Sequence, residues 1–437
     1  MCALREFIDY RQSLNSGLHK DQLEVIDKSQ IINHKSLIVI GGGAAGFFCA
    51  VNAARINPAL KVTIVERSNK LLSKVKVSGG GRCNVTHACF DLVEMSKRYP
   101  RGTNFVKKLF HQFFTNDTIA WFKDRGVAIK AEPDGRMFPV TDSSQTIIDC
   151  LLREADKYNV HIKMQCDIKS VGNVEGNFRL LTANNEVLNA THVCIATGGF
   201  PKASMFDWLT QTGHSFSAPV PSLFTFNLPK HPITQLMGVS VPNALVKITG
   251  SKLHQQGPVL ITHWGLSGPG VLKLSAYAAR ELAEKNWEFE AIINWLPDYN
   301  EQTLKERFLQ LRNDNGSSLL YHKNPFGLPQ RLWEFFLKEC SIPDTCRRAD
   351  LPAKPQNELV KKLTNYLFSI KGKTTFKEEF VTAGGITLNE IDSNTMMSKK
   401  QPNLFFAGEV IDVDGITGGY NFQNAWSTGW VAANAIK

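Results

Sequence analysis

The sequence has no CxxC pair, no internal repeat, no low-complexity tract and no dense run of basic residues interleaved with aromatics. Each absence removes a class of protein. Nine cysteines, an odd number without CxxC spacing, argue against a disulfide framework and against a dithiol redox centre, and fit a reducing cytosol. The cluster Cys83, His87, Cys89 lacks a second ligand pair at zinc spacing, so no metal is expected. Net charge is +10 and the pI is near 9.1, but the Lys and Arg residues are scattered, so no nucleic-acid partner is expected. Such a surface can instead attract a small anionic substrate or a pyridine nucleotide. Met1–Gln12 lacks the basic-then-apolar order of a signal peptide, so a cytoplasmic protein is expected. The longest weakly polar stretch, Leu37–Ala54, is broken by three consecutive glycines, which excludes a membrane span there.

What is present is a chain of 437 residues, 43% hydrophobic, long enough for two cores. Residues 1–35 suggest an accessory helical extension. From Ser36 the pattern is strand (Leu37–Ile40), glycine turn (Gly41–Gly43), helix (Ala44–Arg55) and strand (Lys61–Val65). Helices are expected over Thr103–Phe122 and Ser143–Tyr158, with β-rich pieces ending in a strand, His192–Ala196. From Val220 to about Thr374 prolines and extended segments (Ala244–Ile248, Val259–Thr262) precede helical stretches over Gln302–Arg312, Pro329–Cys340 and Glu358–Phe368. This texture marks an insertion over 220–374 between the two parts, 36–219 and 375–437, of one domain. The tail from Phe380 returns to glycine turns, a strand at Leu404–Ala407 and a helix near Asn421.

Four constellations carry chemistry. Gly41-Gly42-Gly43-Ala44-Ala45-Gly46 is a GxGxxG closing an apolar strand, with Glu66 at the end of the next strand. The first glycine makes the tight turn, the second admits a pyrophosphate and the third lets helix pack on strand; Glu66 would bind the adenosine ribose hydroxyls. Ser78-Gly79-Gly80-Gly81-Arg82-Cys83-Asn84, preceded by Lys74, offers backbone N–H groups and a cation to a phosphate or a flavin edge. Ala196-Thr197-Gly198-Gly199 lets backbone pass close to a cofactor. Leu404–Glu409, with Gly408 and Glu409, repeats that design with a carboxylate for a ribityl hydroxyl. It leads to Asp414, the glycine pair Gly418-Gly419 and Asn421, where a helix N-terminus could stabilise charge on a reduced flavin.

With these motifs, Gly135–Pro139, Thr262–Pro269 and Thr382–Ile386, the chain from Leu37 onward resembles the BaiN/YhiN-type family of FAD-dependent flavoproteins, related to the glutathione-reductase-like superfamily. Two departures are His87 where Asn is usual and Ile261 where Phe is frequent. The resemblance implies a Rossmann-like FAD-binding α/β domain with an inserted β-barrel and helical piece. It also implies FAD contacts from Gly43, Ala45, Glu66, Lys74, Gly80, Gly81, Arg82, Cys83, Asn84, Ala196, Thr197, Gly408, Glu409, Asp414 and Asn421. The activity it implies is that of an oxidoreductase, in a family with members that look like bile-acid reductases and others that look like aminoketone oxidases; the first expectation is an NAD(P)H-linked flavin reductase of an unsaturated or carbonyl compound. The alternatives are an oxidase of aminoketones and a non-catalytic FAD-bound sensor or RNA-modification accessory. No second GxGxxG follows Gly199, so NAD(P)H would visit transiently. His263 is the candidate proton donor, because imidazole titrates near neutrality; a purely structural hydrogen bond in its turn is the competing role.

Overall fold

The structure is a computed structural model that describes residues 35–322, 324–375 and 381–437. The extension expected over 1–35 lies outside the described residues apart from Lys35, as does the tail's starting point at Phe380. The chain enters through β1 (Ser36–Ile40), passes the glycine turn into α1 (Ala44–Ile56) and returns in β2 (Lys61–Val65). These bounds match the sequence pattern to within one residue, because a parallel strand covered on both faces must be continuously apolar, and β1 is from Leu37 to Ile40. Next comes α2 (Ser73–Gly81), which holds Lys74 and the glycine loop. Further on, β3 (His161–Lys163) and β4 (His192–Ile195) join the same sheet. The expected helix over Thr103–Phe122 is two helices, Thr103–Phe110 and Thr115–Lys123, the second started by Asp117 accepting from the Phe114 N–H at 2.7 Å.

The middle of the chain builds an antiparallel sheet from Thr225–Asn227, Ser240–Ile248, His254–Thr262, Gly265–Ser267, Glu288–Asn294 and a final segment, Tyr366–Lys371 with Lys373–Thr374. That final segment pairs with Glu288–Asn294 on one edge and with Thr225–Asn227 on the other, so the sheet closes on itself as a barrel. Helices Glu301–Asn315, Gln330–Glu339 and Ala353–Thr364 accompany it. The helix expected through Phe368 stops at Thr364, because Tyr366, Phe368 and Ile370 alternate inward with exposed neighbours, the two-residue period of a strand. Helix α3 (Pro269–Glu284) has no counterpart among the expected helices. Gly268-Pro269-Gly270 has the composition of a turn, but proline at the first helical position loses only a hydrogen bond that would be unmade anyway.

The chain then returns as β5 (Leu404–Phe406) and ends in α4 (Tyr420–Ala435). The first domain's sheet is wholly parallel, in the order β5-β4-β1-β2-β3. Helix α4 lies against α1, and Gly429 permits the approach: a Cβ there would stand 2.8 Å from the Ala45 carbonyl oxygen. Two buried cores result, one from residues 37–209 with 386–436 and one from 224–370. Ala276 of α3 belongs to the first core although its helix neighbours Leu274 and Ala278 belong to the second, so α3 lies between the two.

Candidate functional site

At the carboxyl edge of the parallel sheet β1, β2 and β4 end together, the position at which open α/β sheets bind ligands. Gly41 has φ +118°, and a Cβ there would lie 2.3 Å from the Ala196 carbonyl oxygen, so only glycine fits between the strand ends. Gly46 has the same reason, with the Gly41 oxygen 2.0 Å from its would-be Cβ. Gly43 begins α1 with no side-chain cap and with open space on its Cβ side, leaving first-turn N–H groups for an anion. Glu66 accepts from the Gly42 N–H at 2.8 Å and the Ser68 N–H at 2.9 Å, which fixes its carboxylate beside the glycine turn while lone pairs remain for ribose hydroxyls. A cavity of about 460 Å³ opens there, lined by Ile40, Gly41, Glu66, Arg67, Thr197 and Trp208 among others. This cradle fits the adenosine and pyrophosphate of a dinucleotide.

Helix α2 breaks at Ser78, whose ψ is 148°, and Gly79 and Gly80 are left-handed. Positions Gly80 and Gly81 face open space. Cys83 (φ +62°) is buried, and burial pushes its thiol up to about 12, so it is a neutral packing group at physiological pH. Arg82 does not point along the loop: it pairs with Glu132 at 2.5 Å and lies over the Phe138 ring at 3.9 Å. Asn84 accepts from the Met137 N–H at 3.2 Å.

The tail closes on this framework. Gly408 (φ +78°) passes Ala45 at 2.7 Å from its would-be Cβ. Glu409 accepts from the Thr382 N–H at 2.8 Å and pairs with Lys74 at 2.5 Å, beside Gly198 and Gly199. Asn421 both accepts from the Gly415 N–H (2.8 Å) and donates to the Gly415 oxygen (2.9 Å), shaping the turn before α4. Gly419 has φ +94°, and a Cβ there would lie 2.5 Å from the Thr86 oxygen and 2.8 Å from the Asn84 Oδ1. Asp414 is fully buried with its carboxylate on Arg101 and Ser222. His263 is exposed at the tip between His254–Thr262 and Gly265–Ser267, its ring edge on Trp264. Among the described residues no hydrogen bond or ion pair joins it to the residues above.

Sequence reasoning missed a polar group beside the Gly418–Gly419 turn. The His87 Nδ1–H donates to the Gly418 oxygen at 3.0 Å, and its ring stacks on Tyr420 with centroids 4.8 Å apart. Gly135 makes room for that ring, since a Cβ would lie 2.5 Å from Nε2. Burial pushes the His87 pKa down, the Gly418 bond opposes this, and Lys273 lowers it further. Lys273 of α3 is itself half-buried and lowered, by burial first and by Arg98 second, against Asp134. The sequence signals were the position of His87, just past the glycine loop, and its departure from the Asn usual there. Nothing local pointed to Lys273.

The model of the HI0933-like protein Rossmann domain matches residues 35–435. The chain belongs to the HI0933-like family. It is 33% identical over 411 residues to the ribosomal RNA dihydrouridine synthase of Escherichia coli (strain K12), covering 91% of this chain and 97% of that one. The enzyme of that name from Haemophilus influenzae is 29% identical over 413 residues, 92% and 98% of the two chains. The 3-dehydro-bile acid delta(4,6)-reductase of Clostridium scindens is 26% identical over 406 residues, 91% and 98% of the two chains. As a member of the HI0933-like family with this dinucleotide cradle, the chain is an FAD-dependent oxidoreductase on a Rossmann-like FAD-binding domain. Among the described residues no helix is long and apolar enough to cross a membrane.

Proposed function

We propose that this oxidoreductase adds hydride and a proton across a carbon–carbon double bond conjugated to a carbonyl, with the uracil ring of ribosomal RNA as its substrate class. The observation that carries this is the 33% identity to a ribosomal RNA dihydrouridine synthase along 97% of that protein. Uracil's ring double bond is conjugated to a carbonyl, as are the double bonds of a 3-oxo-Δ4,6 steroid, so both kinds of relative act on one type of acceptor. Charge supports a polyanion: the chain is +10 overall, and residues 220–374 hold 19 Lys and Arg against 13 Asp and Glu. This departs from the expectation of no nucleic-acid partner, which rested on the lack of a dense basic run; charge spread over a folded surface also attracts phosphates.

Bound FAD supplies the hydride. The protein's part is to hold the dinucleotide with the α1 turn and Glu66, to shape the flavin edge with the Gly418–Gly419 turn, and to present a proton near His87 and Lys273. NAD(P)H is the proposed electron donor, visiting without a dinucleotide fold of its own. A cytoplasmic location suits ribosomal RNA and the eight free cysteines among the described residues.

The test is anaerobic mixing of reduced holoprotein with ribosomal RNA lacking dihydrouridine, followed by mass analysis of the nucleosides. Uridine gaining two hydrogens, with matching flavin reoxidation, is the expected result; unchanged uridine overturns it. A small-molecule reductase is the second reading, favoured by the bile-acid relative. A 3-oxo-Δ4,6 steroid that reoxidises the flavin where RNA does not would establish it, and reoxidation only by oxygen after an aminoketone would indicate the oxidase.

A further inference from the structure

Helix α3 presents two faces with different partners. Val271, Leu274, Ala278 and Leu282 are buried in the barrel's core. Ala276, Tyr277 and Arg280 meet the first domain: the Ala276 oxygen accepts from Arg101 at 2.8 Å, the Tyr277 hydroxyl donates to the Lys97 oxygen at 2.9 Å, and Arg280 pairs with Asp412 at 3.1 Å. Residues spaced i, i+3, i+4 and i+7 share one helix face. Lys273 completes that stripe at its N-terminal end, which puts its side chain on the face turned to the first domain.

Its surroundings there are His87, Arg98 and Asp134, with Tyr277 one turn away along the helix. His87 is bonded to the Gly418 oxygen, so the group adjoins the turn that forms the flavin edge. The charged residues at the site are committed unevenly. Asp134 is already paired with Arg136 at 2.7 Å. Lys273 makes no hydrogen bond or ion pair with any other described residue. Asp134, which Arg136 also engages, is the acidic group that acts on Lys273, and the half-buried ammonium keeps N–H donors for a ligand oxygen. The His87 Nδ1–H is directed to a carbonyl, which leaves Nε2 as an acceptor in the neutral ring and makes His87 a poor proton donor.

We propose that Lys273 anchors the oxygen of the substrate's conjugated carbonyl, stabilises the enolate formed as hydride arrives, and supplies the proton that completes the reduction. This rests on the reading that the substrate carries such a carbonyl. In the balanced step, hydride from flavin reduced by a dihydronicotinamide bonds to the β-carbon, and the double-bond pair moves to the α-carbon and carbonyl oxygen. The Lys273 N–H bond then breaks, its proton goes to the α-carbon, and the neutral amine regains a proton from water. A depressed ammonium pKa suits this transfer, since it weakens the N–H bond against the carbon acid formed. His87 is a positioning residue that holds the Gly418 peptide against the flavin edge.

The experiment compares holoprotein with K273M and K273R, with FAD content and thermal melting measured to verify folding. First, oxidised protein is titrated with 4-nitrophenol at a pH where the free phenol is mostly protonated. The native chain and K273R are expected to bind the coloured phenolate, and K273M to bind it about tenfold or more weakly. Second, substrate-driven flavin reoxidation is expected to fall about a hundredfold or more in K273M, with flavin reduction by the donor unchanged. Phenolate binding by K273M equal to the native chain's overturns the proposal, as does native reoxidation. If the native chain reduces no conjugated carbonyl compound, the functional reading falls, and the phenolate titration alone decides whether Lys273 is an anion anchor.

Discussion

Arg101 and Asp414, 313 residues apart in sequence, form a buried ion pair that also takes in the Ser222 hydroxyl and, through Arg101, the Ala276 oxygen. One guanidinium thus joins the first half of the FAD domain, the tail, the entry to the insertion and α3. Burial pushes the Asp414 pKa up and Arg101 opposes it. Removing one partner leaves an uncompensated charge in the interior. R101M is therefore expected to lose about 3–5 kcal/mol in denaturant unfolding, and R101M with D414L to lose less than R101M alone. A double-variant loss equal to the sum of the separate R101M and D414L losses would show that the pair is not coupled.

The second prediction concerns the dinucleotide. The protein should be yellow and release FAD, not FMN, on denaturation, because the Glu66 carboxylate is held beside the glycine turn, where the adenosine ribose is expected. E66A should weaken FAD retention by about 1–3 kcal/mol, the scale for charge-assisted hydrogen bonds. Equilibrium dialysis finding unchanged affinity removes Glu66 from the site.

The third is that the two ends of the chain share the flavin. G419V is expected to lower FAD occupancy, because its Cβ would meet the Thr86 oxygen at 2.5 Å at φ +94°, a backbone conformation that a β-branched residue avoids. Truncation before Phe380 should abolish FAD binding with the GxGxxG unit intact. A truncated chain that purifies with stoichiometric FAD contradicts this.

Fourth, acid should destabilise the protein early. His87, His192, His214 and His231 are all pushed below their ordinary 6.5, burial being the first cause for each. Between each folded pKa and 6.5 the unfolded chain binds more protons, so stability is full above 6.5 and falls as pH drops below it. Each histidine contributes at most about 1.4 kcal/mol per pH unit. Calorimetry should show a melting temperature that falls as the pH drops from about 6.5 to about 5.5, with a shallower slope in H214Q. A flat profile refutes the assignment.

Residues 220–374 should be removable with retention of FAD binding, since the dinucleotide cradle lies outside them, but at a cost in stability: Arg101 loses the Ala276 and Ser222 oxygens and Asp412 loses Arg280. A flavin-free deletion product would show that the insertion is part of the FAD domain's fold.

The sequence by itself determined the βαβ opening, because strand, glycine turn and helix are set by residues within a few positions of one another. It determined the close passages at Gly41, Gly46 and Gly419 for a related reason: a missing side chain is visible as a letter, whatever packs against it. Tertiary structure decided the rest. Arg82, expected against a phosphate or a flavin edge, turns to Glu132 and Phe138, and Asp414 is buried on Arg101, because a long or charged side chain goes to whichever partner the fold brings near. The barrel strand from Tyr366 was hidden behind a helical pattern whose end only the barrel's closure fixes. Lys273 lies in a helix opened by Pro269 and gains its role from a face turned toward His87, 186 positions earlier, a juxtaposition set by packing between two cores rather than by any local pattern.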